Sequence, residues 1–147
     1  MAAITPLTDT KLLVALHESA FDAAWDAPFF EALLKKSGAQ AFGSGDGFIL
    51  MQPLSGDGQM IEAEILTLAV RPTARRGGLA GRLIVHAQLA LAANRIFLEV
   101  AADNYAARAL YEKFGFDETG RRKAYYKRAD GTRQDAVLMQ GDFPTPI

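Results

Sequence analysis

Residues 60–120 predict an α/β fold: a mixed sheet with helices on both faces. Two observations carry this. The segment alternates strand, helix, strand, helix, strand, an order that requires right-handed crossovers. Its apolar spacing also changes from period two over 60–70 to helical spacing over 78–94. A chain of 147 residues, half of them hydrophobic, is the size of one domain with its own core, so residues 1–147 are read as a single domain.

The elements follow in order. Residues 2–6 read as a short first strand. Thr8, Asp9 and Thr10 offer N-caps to an amphipathic helix through about His17. Phe21, Trp25, Phe29 and Phe30 follow around Pro28, and a second helix runs to about Lys36 before Ser37-Gly38. Ala41 to Leu54 reads as a strand pair or a bent strand, with Gly43, Gly45 and Gly47 placing a turn early in it and Ser55 to Gly58 supplying the next. In the strand from Met60 to Val70, Glu62, Glu64, Leu66, Leu68 and Val70 share one face, and Ile61, Ala63, Ile65, Thr67 and Ala69 the other. Pro72 stops it. Gly78 to Asn94 reads as a helix, Arg95 to Ala101 as a short strand, and Asn104 to Phe114 as a helix ended by Gly115. Strands resume at Phe116, turn at Ala129-Asp130-Gly131, and end with Asp135 to Gln140.

Composition narrows the function. The formal net charge of −1 argues against bulk attraction to nucleic acid or an anionic membrane. Positive charge is clustered, however, at Arg71, Arg75, Arg76 and Arg82 and again at Arg121, Arg122, Lys123, Lys127 and Arg128, so a local anion site is compatible with it. There are no cysteines, which excludes disulfides, thiolate catalysis and thiolate metal sites. The first residues lack a signal-peptide pattern, and no apolar run reaches membrane-spanning length. A soluble, cytoplasmic protein is expected, with neither nucleic acid nor membrane as a direct partner.

The informative segment is Val70-Arg-Pro-Thr-Ala-Arg75-Arg76-Gly77-Gly78-Leu79-Ala80-Gly81-Arg82, between a strand and a helix. Its glycines let a ligand approach the backbone, and the first helical turn presents free N–H groups and the positive end of the helix dipole. Together they make an anion site that suits a pyrophosphate. It lacks the Gly-Lys-Ser/Thr of a Walker loop and the G-x-G-x-x-G of a dinucleotide fold. A plain glycine-rich turn is the alternative.

Arg75-x-x-Gly78-x-Ala80 resembles the Q/R-x-x-G-x-G/A loop of the GNAT superfamily of acyl-CoA N-acyltransferases. Asn104-x-x-Ala107-x-x-Leu110-Tyr111-x-x-x-Gly115-Phe116 resembles that family's second hallmark at the usual separation. Residues 62–70, the Phe21 to Trp25 element and the 121–139 tail are similar to RimI-type enzymes, bacterial N-terminal acetyltransferases of a small-subunit ribosomal protein. The departure is Ala80, where those enzymes usually carry glycine.

The resemblance implies a mostly antiparallel sheet splayed between two parallel strands, with acetyl-CoA as co-substrate, a protein N-terminus as acceptor and no metal. It implies that backbone groups of Leu68, Ala69 and Val70 hold the pantetheine arm and thioester. Amides around Arg75, Arg76, Gly77, Gly78, Leu79, Ala80 and Gly81 would hold the pyrophosphate, and Asn104 would bind the cofactor beyond the second splayed strand.

Acetyl transfer needs a neutral amine, a polarised thioester and a proton for the leaving thiolate. An α-amine titrates near ~7.7–8.0 and a lysine near ~10.4, so an N-terminal acceptor asks less of a base. Glu99, the lone charge inside the apolar run Ile96 to Val100, is the base candidate, by analogy with RimI-type enzymes. Glu64 is the rival, as in relatives that modify histone lysines. Tyr111 is the acid candidate, since an ordinary phenol near ~10 can protonate a thiolate. His17 and His86 lack metal spacing and read as helix residues. Two other readings stay open: acetylation of a small amine or lysine side chain, and a non-catalytic acyl-CoA-binding module.

Overall fold

A computed structural model of the chain describes residues 3–54 and 60–143. Seven strands form one sheet: Thr5–Leu7 (β1), Gln40–Ser44 (β2), Gly47–Pro53 (β3), Glu62–Val70 (β4), Arg95–Ala101 (β5), Phe116–Lys127 (β6) and Arg133–Asp142 (β7). The helices are Thr10–Ala20 (α1), Ala27–Lys36 (α2), Leu79–Leu91 (α3) and Tyr105–Lys113 (α4), with one 3₁₀ turn at Pro72–Ala74. The strand order is β1-β2-β3-β4-β5-β7-β6. Only β4 and β5 pair in parallel; every other ladder is antiparallel. α3 makes the crossover between the parallel pair, and β7 inserts between β5 and β6.

The expected punctuation holds, with small shifts of boundary. Asp9, one of the expected caps, caps α1 by accepting from the Lys11 N–H at 3.0 Å; Asp26, which the sequence reading did not name, caps α2 by accepting from Phe29 at 3.0 Å, with Pro28 in the first turn. α1 runs to Ala20, three residues past the expected end, because Leu16 and His17 are buried and carry the apolar stripe onward. The first strand lies at Thr5–Leu7 rather than 2–6, where it pairs with β2. β7 is longer than expected, because Arg133 and Gln134 find partners in Lys127 and Tyr126. The turn expected at 55–58 lies outside the described residues.

The sheet separates two cores. On one face α3 brings Leu79, Leu83, Ile84 and Ala87 against Ile49, Met51, Ile65, Ile96, Leu98 and Met139, with Tyr111 of α4 in the same cluster. On the other, Leu13, Leu16 and Phe30 of α1 and α2 cover Ala41, Phe48, Leu50 and Ala69. Two apolar layers this size suit the half-hydrophobic composition.

The simple alternation expected along β4 is wrong. Ladder pairing jumps from Leu50↔Thr67 to Met51↔Ile65, so Leu66 is an extra residue, a β-bulge. Beyond it the faces exchange. Leu68 and Val70 pack with Ala63 and Ile65 on the α3 face, whereas Ala69 joins Leu66 on the α1 face. Period-two reading assumes an unbroken ladder, and one inserted residue inverts everything after it.

The parallel pair also separates. Pairing runs from Glu62↔Arg95 to Ile65↔Leu98 and goes no further, although β4 continues to Val70 and β5 to Ala101. Past this point the edges of the two strands that face each other have no ladder partner.

Candidate active site

The loop between β4 and α3 has the features expected of an anion site. After the 3₁₀ turn the backbone takes positive φ at Arg76 (72°) and Gly78 (78°), and Gly78 is the N-cap of α3. A side chain at Gly78 would have open space, so glycine is needed there for its backbone conformation alone. Asp9, Asp26 and Asn104 cap the other three α-helices, but no side chain caps α3. Its first-turn N–H groups keep their donor capacity and the positive end of the dipole.

A cleft of about 540 Å³ opens at that helix start. Of the residues expected at the cofactor site, Val70, Arg75, Arg76, Gly78, Leu79, Ala80 and Gly81 line it. Leu68, Ala69, Gly77 and Asn104 do not. Leu68 and Ala69 lie on β4 beyond the point where its pairing with β5 ends. Arg75 folds back, its Nε donating to the Val70 carbonyl at 3.1 Å, which fixes the loop on the strand end. Asn104 has a structural duty: its side-chain oxygen accepts from the Ala107 N–H at 3.2 Å and caps α4.

Gly81 is required for a different reason from Gly78. A Cβ there would lie 2.2 Å from Cζ of Phe114, so the small residue lets α4 approach α3. The far wall of the cleft consists of Ala106, Leu110, Lys113 and Phe114, which sequence reading missed. Their spacing along α4 is helical, a stripe that could have drawn attention to them. Lys113 adds a cation to those of Arg75 and Arg76.

Glu99 and Tyr111 lie on opposite faces of the sheet, and neither lines the cleft. Along β5, Ile96, Leu98 and Val100 point into the α3 core, so Phe97 and Glu99 take the other face. Glu64 shares that face opposite Phe97, which makes the two rival carboxylates neighbours. Glu64 holds its proton more tightly than usual, first through burial and then through the charge of Glu99, with Arg122 opposing. Nη2 of Arg122 is 3.3 Å from Oε1 of Glu99. Half-buried Tyr126 also has its phenol shifted upward, by burial first and then by Glu99. Neither Arg122 nor this surrounding of Glu99 was foreseen, since β6 is distant in sequence.

Tyr111 is 7% exposed and stands edge-on to Phe116 with ring centres 5.6 Å apart. The expected ordinary phenol is therefore corrected: burial pushes its pKa up to about 12. It is neutral at physiological pH and so carries a proton. His17 lies on α1 as expected, and the structure also buries it, 2% exposed and stacked on Phe21 and Trp25, with Nδ1 accepting from the Trp25 N–H at 3.1 Å. Among the described residues no acidic, histidine or cysteine group forms a metal-binding cluster, and no helix is long and apolar enough to cross a membrane.

Residues 12–116 match the family model described as acetyltransferase (GNAT) family. The chain is 42% identical over 81 residues to the [ribosomal protein bS18]-alanine N-acetyltransferase of Escherichia coli K12, an alignment covering 53% of this chain and 54% of that enzyme. It is 39% identical over 82 residues to the enzyme of that name from Haemophilus influenzae, covering 53% and 55%. The matches thus span about half the length of these curated relatives. The crystal structure of the ribosomal-protein-S18-alanine N-acetyltransferase from Escherichia coli superposes with a TM-score of 0.84 at 28% identity, covering 100% of this chain and 97% of that one. Arabidopsis thaliana NAA60 in complex with acetyl-CoA gives 0.79 at 21%, covering 96% and 98%, a likeness of fold.

Proposed function

The chain belongs to the acetyltransferase (GNAT) family, and on that premise we propose that it transfers acetyl from acetyl-CoA to the N-terminal α-amine of a protein, a small-subunit ribosomal protein being the candidate acceptor. One observation carries this reading. β4 and β5 part after Ile65↔Leu98, and the uncapped start of α3 lies beside the cleft next to the end of β4. Unpaired strand edges suit the amide-bearing pantetheine arm, which adds to a sheet as a peptide does. The helix start, Arg75, Arg76 and Lys113 suit a pyrophosphate. The donor set therefore fits coenzyme A. The ribosomal acceptor rests on the names of the bacterial relatives.

In the reaction Glu99 takes a proton from the acceptor ammonium, directly or through water. Glu99 passes that proton to solvent, the freed amine attacks the thioester carbonyl and the C–N bond forms; the nitrogen then gives up its second proton by the same route as the C–S bond breaks and the thiolate leaves. Backbone N–H groups near Val70 stabilise the developing oxyanion. Tyr111 supplies the proton that the thiolate takes up and recovers one from solvent. Because the phenol has a pKa of about 12 against ~8.5 for an ordinary thiol, this transfer runs uphill and is completed by the proton that Tyr111 recovers from solvent. Soluble cytoplasmic residence is part of the proposal. The test is mass spectrometry of peptides with varied first residues, incubated with enzyme and acetyl-CoA. Acetylation confined to internal lysines sinks the N-terminal reading.

A further inference from the structure

We propose that Arg122 is a gate for the acceptor: its guanidinium rests on the Glu99 carboxylate in the place an incoming α-ammonium takes, and it gives up that carboxylate while keeping its hold on the Tyr125 ring as the peptide enters. This rests on the N-terminal acetyltransferase reading and adds a specificity residue to it. Four observations support it.

First, the ion pair is lopsided. The Arg122 side chain is 54% exposed and that of Glu99 24%, so the guanidinium covers the solvent side of a mostly sheltered carboxylate. Second, the contact is a single one, Nη2 to Oε1 at 3.3 Å, without the two parallel bonds that make arginine–carboxylate pairs strong. Such a pair is readily exchanged for a compact ammonium. Third, the site holds an excess of acid. Glu64 and Glu99 share the face with one guanidinium, and Glu64 registers the charge of both. Tyr126 from β6 completes the surroundings of Glu99.

Fourth, Arg122 has a second contact that does not depend on Glu99. Its Cζ lies 5.3 Å from the centre of the Tyr125 ring, a cation–π distance. That ring is aimed by an irregularity in β6, where pairing passes from Arg122↔Ala136 to Tyr126↔Gln134 and three residues oppose Asp135 alone. Ala124 takes a φ of 51° in this bulge. β7 side chains hold it there: Asp135 accepts from the Ala124 N–H at 2.9 Å, and Arg133 donates to its carbonyl at 3.2 Å. The bulge sets the direction of Arg122 and Tyr125 while leaving both exposed.

The test measures acceptor and cofactor constants separately for the full chain and its Arg122→Gln and Arg122→Lys variants. Without the competing cation, KM for a free-amine peptide falls roughly two- to five-fold in Arg122→Gln, the worth of one exposed ion pair. KM for acetyl-CoA does not move, and Arg122→Lys returns the acceptor KM towards that of the parent. Calorimetry with an N-formyl peptide shows no gain in affinity. An acceptor KM that stays put or rises in Arg122→Gln overturns the gate while leaving the acetyltransferase reading intact. So does a lower melting temperature in place of a KM change. A parent protein that acetylates no peptide sinks the underlying reading and the gate with it.

Discussion

The glycines of the anion loop have distinct duties, and substituting alanine at each separates them. At Gly81 an added Cβ meets the Phe114 ring at 2.2 and 2.7 Å, against an ordinary contact of 3.4 Å or more, so the ring must retreat by about 1 Å. Phe114 ends α4 and lines the cleft, so that retreat carries the cleft wall with it. Overpacking costs about 1–3 kcal/mol, and exchanging a helical glycine for alanine returns up to ~1 kcal/mol. The net loss for Gly81→Ala is ~1–2 kcal/mol, or roughly 3–6 °C in Tm at this chain length. At Gly78 there is room, but φ is 78°, so Gly78→Ala costs about 1–2 kcal/mol of backbone strain. At Gly77 the nearest atom is 3.9 Å away and φ is not positive, so Gly77→Ala is tolerated. Thermal unfolding with and without acetyl-CoA reads all three. The decisive arm is Gly81→Ala with Phe114→Leu, which removes the atoms in conflict. Its loss should be smaller than the sum of the single losses by ~1 kcal/mol or more, the coupling expected of residues in contact. Strict additivity would refute the steric account.

Three further predictions concern the core and the chemistry. His17 is held near a pKa of about 4 by burial, below its ordinary 6.5, so the folded state binds fewer protons than the unfolded one. Its contribution is therefore fully present above pH 6.5 and is lost as pH falls towards 4, by ~2 kcal/mol at pH 5. Urea unfolding at pH 7 and pH 5 should show this loss in the parent, and His17→Leu should remove most of it. Asn104→Ala should cost ~1 kcal/mol of stability through the lost α4 cap, whereas Asn104→Asp keeps an acceptor; equal losses in the two variants contradict the capping role. Glu99→Gln should lower kcat by roughly 10²–10⁴-fold if Glu99 is the general base. Tyr111→Phe should depress kcat with little change in Tm, and steady-state rates untouched by both substitutions remove the assignment.

The local elements were legible because their causes are local. Asp9 and Asn104 announce helix starts, Gly115 at φ 93° announces a helix end, and Arg95–Ala101 reads as a strand from end to end. The anion loop was legible too, since glycines and arginines between a strand and a helix have few other uses. The facing of β4 after Leu66 was not, because the bulge that leaves Leu66 unopposed is decided by how β4 pairs with β3. Nor was the surrounding of Glu99, where β4, β5 and β6 bring Glu64, Arg122 and Tyr126 together from across the chain. Tyr111 shows the division within a single residue. Its type and place on α4 are written in the chain, but its proton affinity is set by the apolar layer folded around it. Sequence alone determined the place of the glycine- and arginine-rich loop before α3 and the order of elements, because capping and backbone sterics act over a few residues. Only the tertiary structure decided which faces meet, because burial and charge act between atoms that the chain itself keeps far apart.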